Sequence, residues 1–231
     1  IYKKYLRNKT FLKMGIIVTF IALLIVTFIT YYGQNAGNFV LSIDEDLKDR
    51  SVYMSETVDF INPTAMLQAD AVYDARDITY TFVNIDEAVN TDGTYKDPYF
   101  KYVAYTFYIK NFGYETTDLE YTTTINSVSG NVDKAIRIMV ITQYQDVVQQ
   151  KIYMAKDDVE YDYEDIPECI EFLSEKMVMQ EKITGFFPDE QIKFTVFMWL
   201  EGQDPDTNDS ILGGKVKLQL RFSCIDSESE Q

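Results

Sequence analysis

Histidine is absent from all 231 residues. The chain therefore lacks the side chain that most often serves as general base, activates a serine or cysteine nucleophile, or ligates a transition metal. Cysteine is nearly absent: Cys169 and Cys224 are the whole supply, too few for a zinc site of the usual Cys/His type. The two leave open either one disulfide, closing a loop of about 55 residues and contributing roughly 4 kcal/mol, or a pair of free thiols. Glycine and proline are sparse, 10 and 5, which excludes collagen-like and low-complexity architectures. No phosphate-binding loop, dinucleotide fingerprint, G-x-S-x-G elbow or H-E-x-x-H helix occurs. A glycosidase needs two carboxylates facing each other, and among 37 acidic residues some pair meets that distance by chance. The expectation is a protein that is not an enzyme.

Acidic residues are missing from the first part of the chain. Lys3, Lys4, Arg7, Lys9 and Lys13 all precede the first carboxylate, Asp44. Setting those five charges aside turns the net −16 into −21 for the remainder. A surface that acidic repels nucleic-acid phosphates and anionic lipid head groups, so nucleic acid is not an expected partner. Cationic partners and bound metal ions are favoured.

Charge of either sign is missing from Met14 to Tyr32. A stretch of about 20 apolar residues spans a bilayer core as a helix. Tyr31 and Tyr32 at one end, and Tyr2 and Tyr5 near the other, suit the two membrane interfaces. Positive charge before the span, with Asp44, Glu45 and Asp46 after it, places the N-terminus in the cytoplasm and the rest outside. The expected organisation is a basic cytoplasmic segment (1–13), a transmembrane helix (14–32) and an extracellular domain (33–231). A retained signal-anchor is expected rather than a cleaved signal peptide, because Gln34, Asn35 and Ala36 supply only half of a cleavage site. The span has no ionisable residue of the kind that marks a transport or signalling path, so it reads as a plain tether.

What is abundant is aromatic: 18 Tyr and 15 Phe, residues that pack well on a pleated surface. Lys215 to Phe222 alternates with period two, setting Val216, Leu218, Leu220 and Phe222 on one face and Lys215, Lys217, Gln219 and Arg221 on the other. In Gln191 to Glu201 the inner set is Ile192, Phe194, Val196, Met198 and Leu200, while the opposite face ends in Phe197 and Trp199. Tyr99 to Asn111 is apolar or aromatic on both faces, as a central covered strand would be. Further strands are expected at 38–43, 78–83, 118–128, 134–144 and 150–154, with short helices at 168–177 and 64–71. Turn chemistry at Asn90–Gly93, Ser129–Asn131 and Asn208–Ser210 separates them. The pattern predicts an all-β fold, an antiparallel β-sandwich.

Two acidic loops are candidate cation sites. Asp204, Asp206 and Asn208 match the opening of a calcium loop, with Asp209 beside them, but Asp209 stands where glycine belongs and Lys215 where glutamate belongs. The segment is therefore no EF-hand. Its alternative role is a hairpin loop whose carboxylates bond their own backbone. Asp157, Asp158, Glu160, Asp162, Glu164 and Asp165 form the second run, read as a solvated loop or a calcium or polycation site. Phe197, Trp199 and nearby tyrosines fit either a carbohydrate platform or a second core layer. No cofactor is expected beyond calcium.

The block Phe194 to Asp209, followed by Gly213 to Phe222, resembles the ending of secreted surface proteins of Gram-positive bacteria related to the TasA and camelysin group, and Tyr102 to Gly113 is similar to that group's strand leading into a turn. The resemblance implies a jelly-roll-like sandwich, export, and in some members assembly into extracellular fibres by one subunit lending a strand to the next. A retained anchor departs from that pattern, and without histidine no protease site of the camelysin kind carries over. The resulting expectation is a membrane-anchored cell-surface sandwich that acts by binding or self-assembly with a protein partner. The alternatives are a calcium- or carbohydrate-dependent adhesion module, or an accessory subunit of an envelope complex.

Overall fold

A computed structural model describes residues 13–27, 39–156 and 166–225. The chain falls into two compact units, Ile1–Ala36 and Gly37–Gln231.

In the first unit, residues 13–27 form a helix, α1, every residue of which is exposed. Its threonines satisfy their own hydroxyls: Thr19 donates to the Gly15 carbonyl at 2.9 Å and Thr27 to that of Leu23 at 2.8 Å. Among the described residues no helix is long and apolar enough to cross a membrane. Residues 28–32 of the expected span lie outside the described part.

The second unit is a stack of two mixed sheets. One has the order β10-β6-β12-β1-β3, the other β2-β5-β11-β7-β8-β9 with β4 also on β5. The strands are β1 Phe39–Ile43, β2 Val52–Ser55, β3 Met66–Gln68, β4 Gly93–Thr94, β5 Val103–Asn111, β6 Thr117–Ser129, β7 Ile136–Tyr144, β8 Val147–Met154, β9 Cys169–Glu171, β10 Met177–Phe186, β11 Gln191–Leu200 and β12 Lys215–Cys224. Inward residues of both sheets meet in one core: Leu41, Phe107, Ile138, Phe194, Leu220 and Phe222 are all at or below 1% exposure. The rings of Phe107 and Phe194 stack 5.2 Å apart, and Phe222 meets Phe194 edge-on at 5.3 Å.

Two pairings are parallel, β1 with β12 and β8 with β9, where a purely antiparallel sandwich was expected. Parallel neighbours need long connections. Here nearly the whole domain lies between β1 and β12, so the first and last strands sit side by side. Phe39–Ile43 lies between β12 and β3, inside its own sheet.

Four local expectations fail. Residues 168–177 are not a helix: Cys169–Glu171 pairs with Ile152–Met154, and the turn after it is closed by Ser174 Oγ accepting from the Met177 N–H at 3.0 Å. Residues 64–71 are not helical either, because Thr64 bridges to Met54 of β2 and Met66–Gln68 pairs with β1. Tertiary ladder bonds override weak helical periodicity in both. The expected strand at 78–83 is a single bridge from Ile78 to Glu201 followed by a 3-10 turn at Tyr80–Phe82. The strand expected from Tyr99 starts at Val103.

The seven-stranded sheet is covered on part of its outer face too. Met139, Ile141, Ile152, Phe197 and Trp199 pack there against Ile78, Val83, Ala88, Tyr95 and Tyr102. The covering segment includes α2, Ile85–Val89, capped by Asn84, whose Oδ1 accepts from the Glu87 N–H. Its tyrosines bury their rings and hand their hydroxyls to acids: Tyr95 to Glu87 at 2.7 Å, Tyr102 to Asp97 at 3.2 Å, and on the same sheet Tyr108 to Asp92 at 2.8 Å. Burial first, then the Glu87 bond, pushes the Tyr95 phenol up to about 12. This is where part of the acidic and aromatic excess goes.

Candidate functional site

The four residues expected to hold calcium do not converge. Asp204 turns inward: its Oδ2 lies 2.8 Å from Nη1 of Arg137, and both side chains are completely buried. Its Oδ1 accepts from the Asp206 N–H at 2.8 Å, and Asn208 Oδ1 accepts from the Ser210 N–H at 3.0 Å. Asn208 and Asp209 stay exposed. Among the described residues no group of three or more acidic or cysteine side chains is arranged to hold a metal ion. The second acidic run, 157–165, lies outside the described residues.

Phe197 and Trp199 form the second core layer and offer no face to a sugar. Trp199 Nε1–H donates to Glu201 Oε2 at 2.9 Å, and Glu201 Oε1 accepts from the Gln203 N–H at 3.2 Å. Burial pushes the Cys169 thiol up, with Arg137 nearby acting against that rise. Cys169 and Cys224 are both free thiols and belong to different sheets.

The most organised surface lies at one end of the sandwich, where three turns meet: 112–116 between β5 and β6, 145–146 between β7 and β8, and 187–190 between β10 and β11. Asn111, at the end of β5, is wholly buried. Its Nδ2 donates to the carbonyls of Glu115 at 2.9 Å and Phe186 at 3.0 Å, and its Oδ1 accepts from the Gly113 N–H at 2.9 Å. Its backbone adds two bonds to the 187–190 turn, through Glu190 O and Asp189 N. Gly113 is dictated by crowding, since a Cβ there would sit 2.3 Å from the Arg50 carbonyl oxygen.

Glu190 joins the other two turns. Oε2 accepts from the Tyr144 hydroxyl at 2.6 Å and from the Phe187 N–H at 2.8 Å, while Oε1 accepts from Gln145 Nε2 at 2.9 Å. Burial works against its charged form, but the bonds from Tyr144, Gln145 and Phe187 outweigh it and hold the carboxyl below the usual range. The Tyr144 phenol is pushed up in turn, by burial and by Glu190.

What these fastened turns present is apolar. Tyr114 is 99% exposed and Phe187 52%. Val147 and Val148 are exposed beside the 145–146 turn. Phe112 meets Phe60 edge-on at 5.4 Å, with Lys110 Nζ 5.1 Å from its ring centre. Exposed carboxylates of Glu115 and Asp189 rim the patch. Rigid backbone beneath exposed aromatic tips is the arrangement of a preorganised binding surface, because little ordering entropy remains to be lost on association. The sequence signal is slight: Tyr102 to Gly113 shows only a strand leading into a turn, and no motif marks Phe187 or Glu190.

No protein-family model matches the chain, and no curated protein does. Among solved structures, the β-glucosidase from Kluyveromyces marxianus in complex with glucose is similar over 73% of this chain, at 8% identity and a TM-score of 0.21. The chain spans 15% of that structure's length. A likeness at this level carries no argument about fold or activity.

Proposed function

We propose that this protein is a membrane-anchored β-sandwich, displayed outside the cell with its N-terminus in the cytoplasm, that works by binding a protein partner rather than by catalysis. The observation that carries the reading is α1: Ile16, Ile17, Val18, Phe20, Ile21, Leu23, Leu24, Ile25 and Val26 are exposed all around the helix. A helix apolar on every side belongs in a lipid or protein interior, not in water. The uncharged run continues in the sequence to Tyr32, and the basic residues precede it, which favours insertion with the domain outside. The aromatic loop end supports the binding half of the reading, since exposed apolar patches of this kind mark interaction sites.

The test uses the full chain in cells. Alkaline carbonate should leave it in the membrane pellet, and protease added outside intact cells should digest the domain. A photo-crosslinking residue at Tyr114 should capture a partner that the same residue at Asn126, on the far end of β6, does not. Release by carbonate would refute the anchor, and equal capture at the two positions would refute the loop end as the binding surface.

A further inference from the structure

Every open sheet needs its edges protected, because unpaired backbone N–H and C=O groups recruit other strands. Three of the four edges here are protected. On the five-stranded sheet, β3 is only three residues long, and β10 is broken by irregularities between Met177 and Met179 and between Ile183 and Phe186. On the seven-stranded sheet, β2 is capped where Met54 and Thr64 exchange backbone bonds at 2.9 and 2.8 Å. The remaining edge, β8, pairs with β9 only from Ile152 to Met154. Pro167, two residues before β9 begins, has no N–H with which to extend that ladder. Among the described residues, Val147 to Lys151 of β8 has no partner on its outer side.

The hairpin geometry says which groups are free. Gln145 and Asp146 both have positive φ, 49° and 62°, as a two-residue type I′ turn requires. Such a turn makes Tyr144 and Val147 a hydrogen-bonded pair, so Val147, Gln149 and Lys151 spend their backbone groups on β7. Val148 and Gln150 aim theirs outward. From Val147 to Gln150 the strand itself has no proline, no bulge and no charge, and Lys151, which follows, turns its side chain to Glu181. Val148 is 64% exposed.

We infer that Val147–Lys151 is a strand-docking edge that takes an extended, uncharged segment of a partner protein as an additional strand of the seven-stranded sheet. This deepens the binding reading above and rests on it, narrowing that reading to one edge of the loop end. A second copy of the chain is the poorer occupant. Each copy carries −16, so like-charge repulsion opposes the pairing of two copies. An uncharged segment suits the neighbours it would meet, Val148 and Gln150 on one face, Val147 and Gln149 on the other. Main-chain bonds to Val148 and Gln150 supply the attraction.

The experiment is amide hydrogen exchange by NMR on the full chain in detergent micelles. The probe is a capped seven-residue peptide of alternating threonine and valine, at millimolar concentration. The Val148 and Gln150 amides should exchange fast in the free protein and slow about tenfold with the peptide. Val148→Pro removes only an outward-facing N–H and should abolish the protection at Gln150 while leaving amide dispersion elsewhere unchanged. Should that variant misfold, the same peptide N-methylated at alternate residues must give no protection to the wild-type chain. Absence of protection, or protection at β3 or β10 instead, overturns the inference. Protection that grows with protein concentration in the absence of peptide overturns it in favour of self-pairing. Capture at Tyr114 without edge protection would discard this edge and keep the binding reading, whereas edge protection without capture would discard the loop tips.

Discussion

Replacing Asn111 with alanine should unfasten the loop end from within. The buried amide makes three side-chain hydrogen bonds, to Glu115 O, Phe186 O and from Gly113 N. Alanine supplies none, and the buried partners are left without a substitute. A net bond is worth about 1 kcal/mol, and a stranded buried group costs about 1–3 kcal/mol. Part of the Gly113 and Glu115 backbone reaches solvent and recovers water, so the expected loss is about 3 kcal/mol. Urea unfolding of the full chain in detergent, followed by the fluorescence of Trp199, the single tryptophan, reads this directly. The midpoint should fall with the slope unchanged, and the melting temperature should drop by about 6–12 °C for a domain of this size. Asn126→Ala is the control, because the Asn126 side chain bonds Gln219 in an exposed setting and should cost under about 0.5 kcal/mol. A loss below about 1 kcal/mol for Asn111→Ala would refute the claim that this side chain fastens the turns.

Glu190 should make the domain acid-sensitive. Its folded carboxyl is held low, so its contribution is present above the unfolded value of about 4.3 and disappears as pH falls through the folded one. The urea midpoint of the native chain should therefore fall relative to Glu190→Gln as pH drops below about 4.5, and parallel curves would dismiss the effect. Arg137→Met strands the buried Asp204 carboxylate and should cost about 3–5 kcal/mol, whereas the Arg137→Met, Asp204→Leu double variant should lose less than the single one. Simple additivity in urea unfolding would mean the two charges do not act as a pair.

The strands whose two faces differ sharply were legible in advance. Val216, Leu218, Leu220 and Phe222 are all buried where alternation put them, because period two maps directly onto the two sides of a sheet. Phe197 and Trp199 broke that alternation, and the reason is the cover formed by residues 78–102, whose sequence suggested a strand at 78–83 rather than a layer over the sheet. The expected calcium set could not be separated from an inward-turned Asp204, because Arg137 stands far away in the chain. Asn111 was unreadable for the same reason: its Phe186 partner is 75 residues distant, and Glu190 reaches Gln145 across 45. Long-range polar bonds leave no local trace.

The side-by-side placement of first and last strands has a mechanical consequence. Because β1 runs in the same direction as β12, with Phe39 level with Leu218 and Ile43 level with Phe222, the chain enters the domain heading toward the loop end. Tension between residue 39 and anything gripped at that end acts along β1 rather than across it. The five rungs to β12, and those to β3 on the other flank, are then loaded together in shear and must fail nearly at once. Pulling perpendicular to the strands would open the same rungs one after another. The domain is thus built to transmit force from its point of entry to its far tip without unzipping.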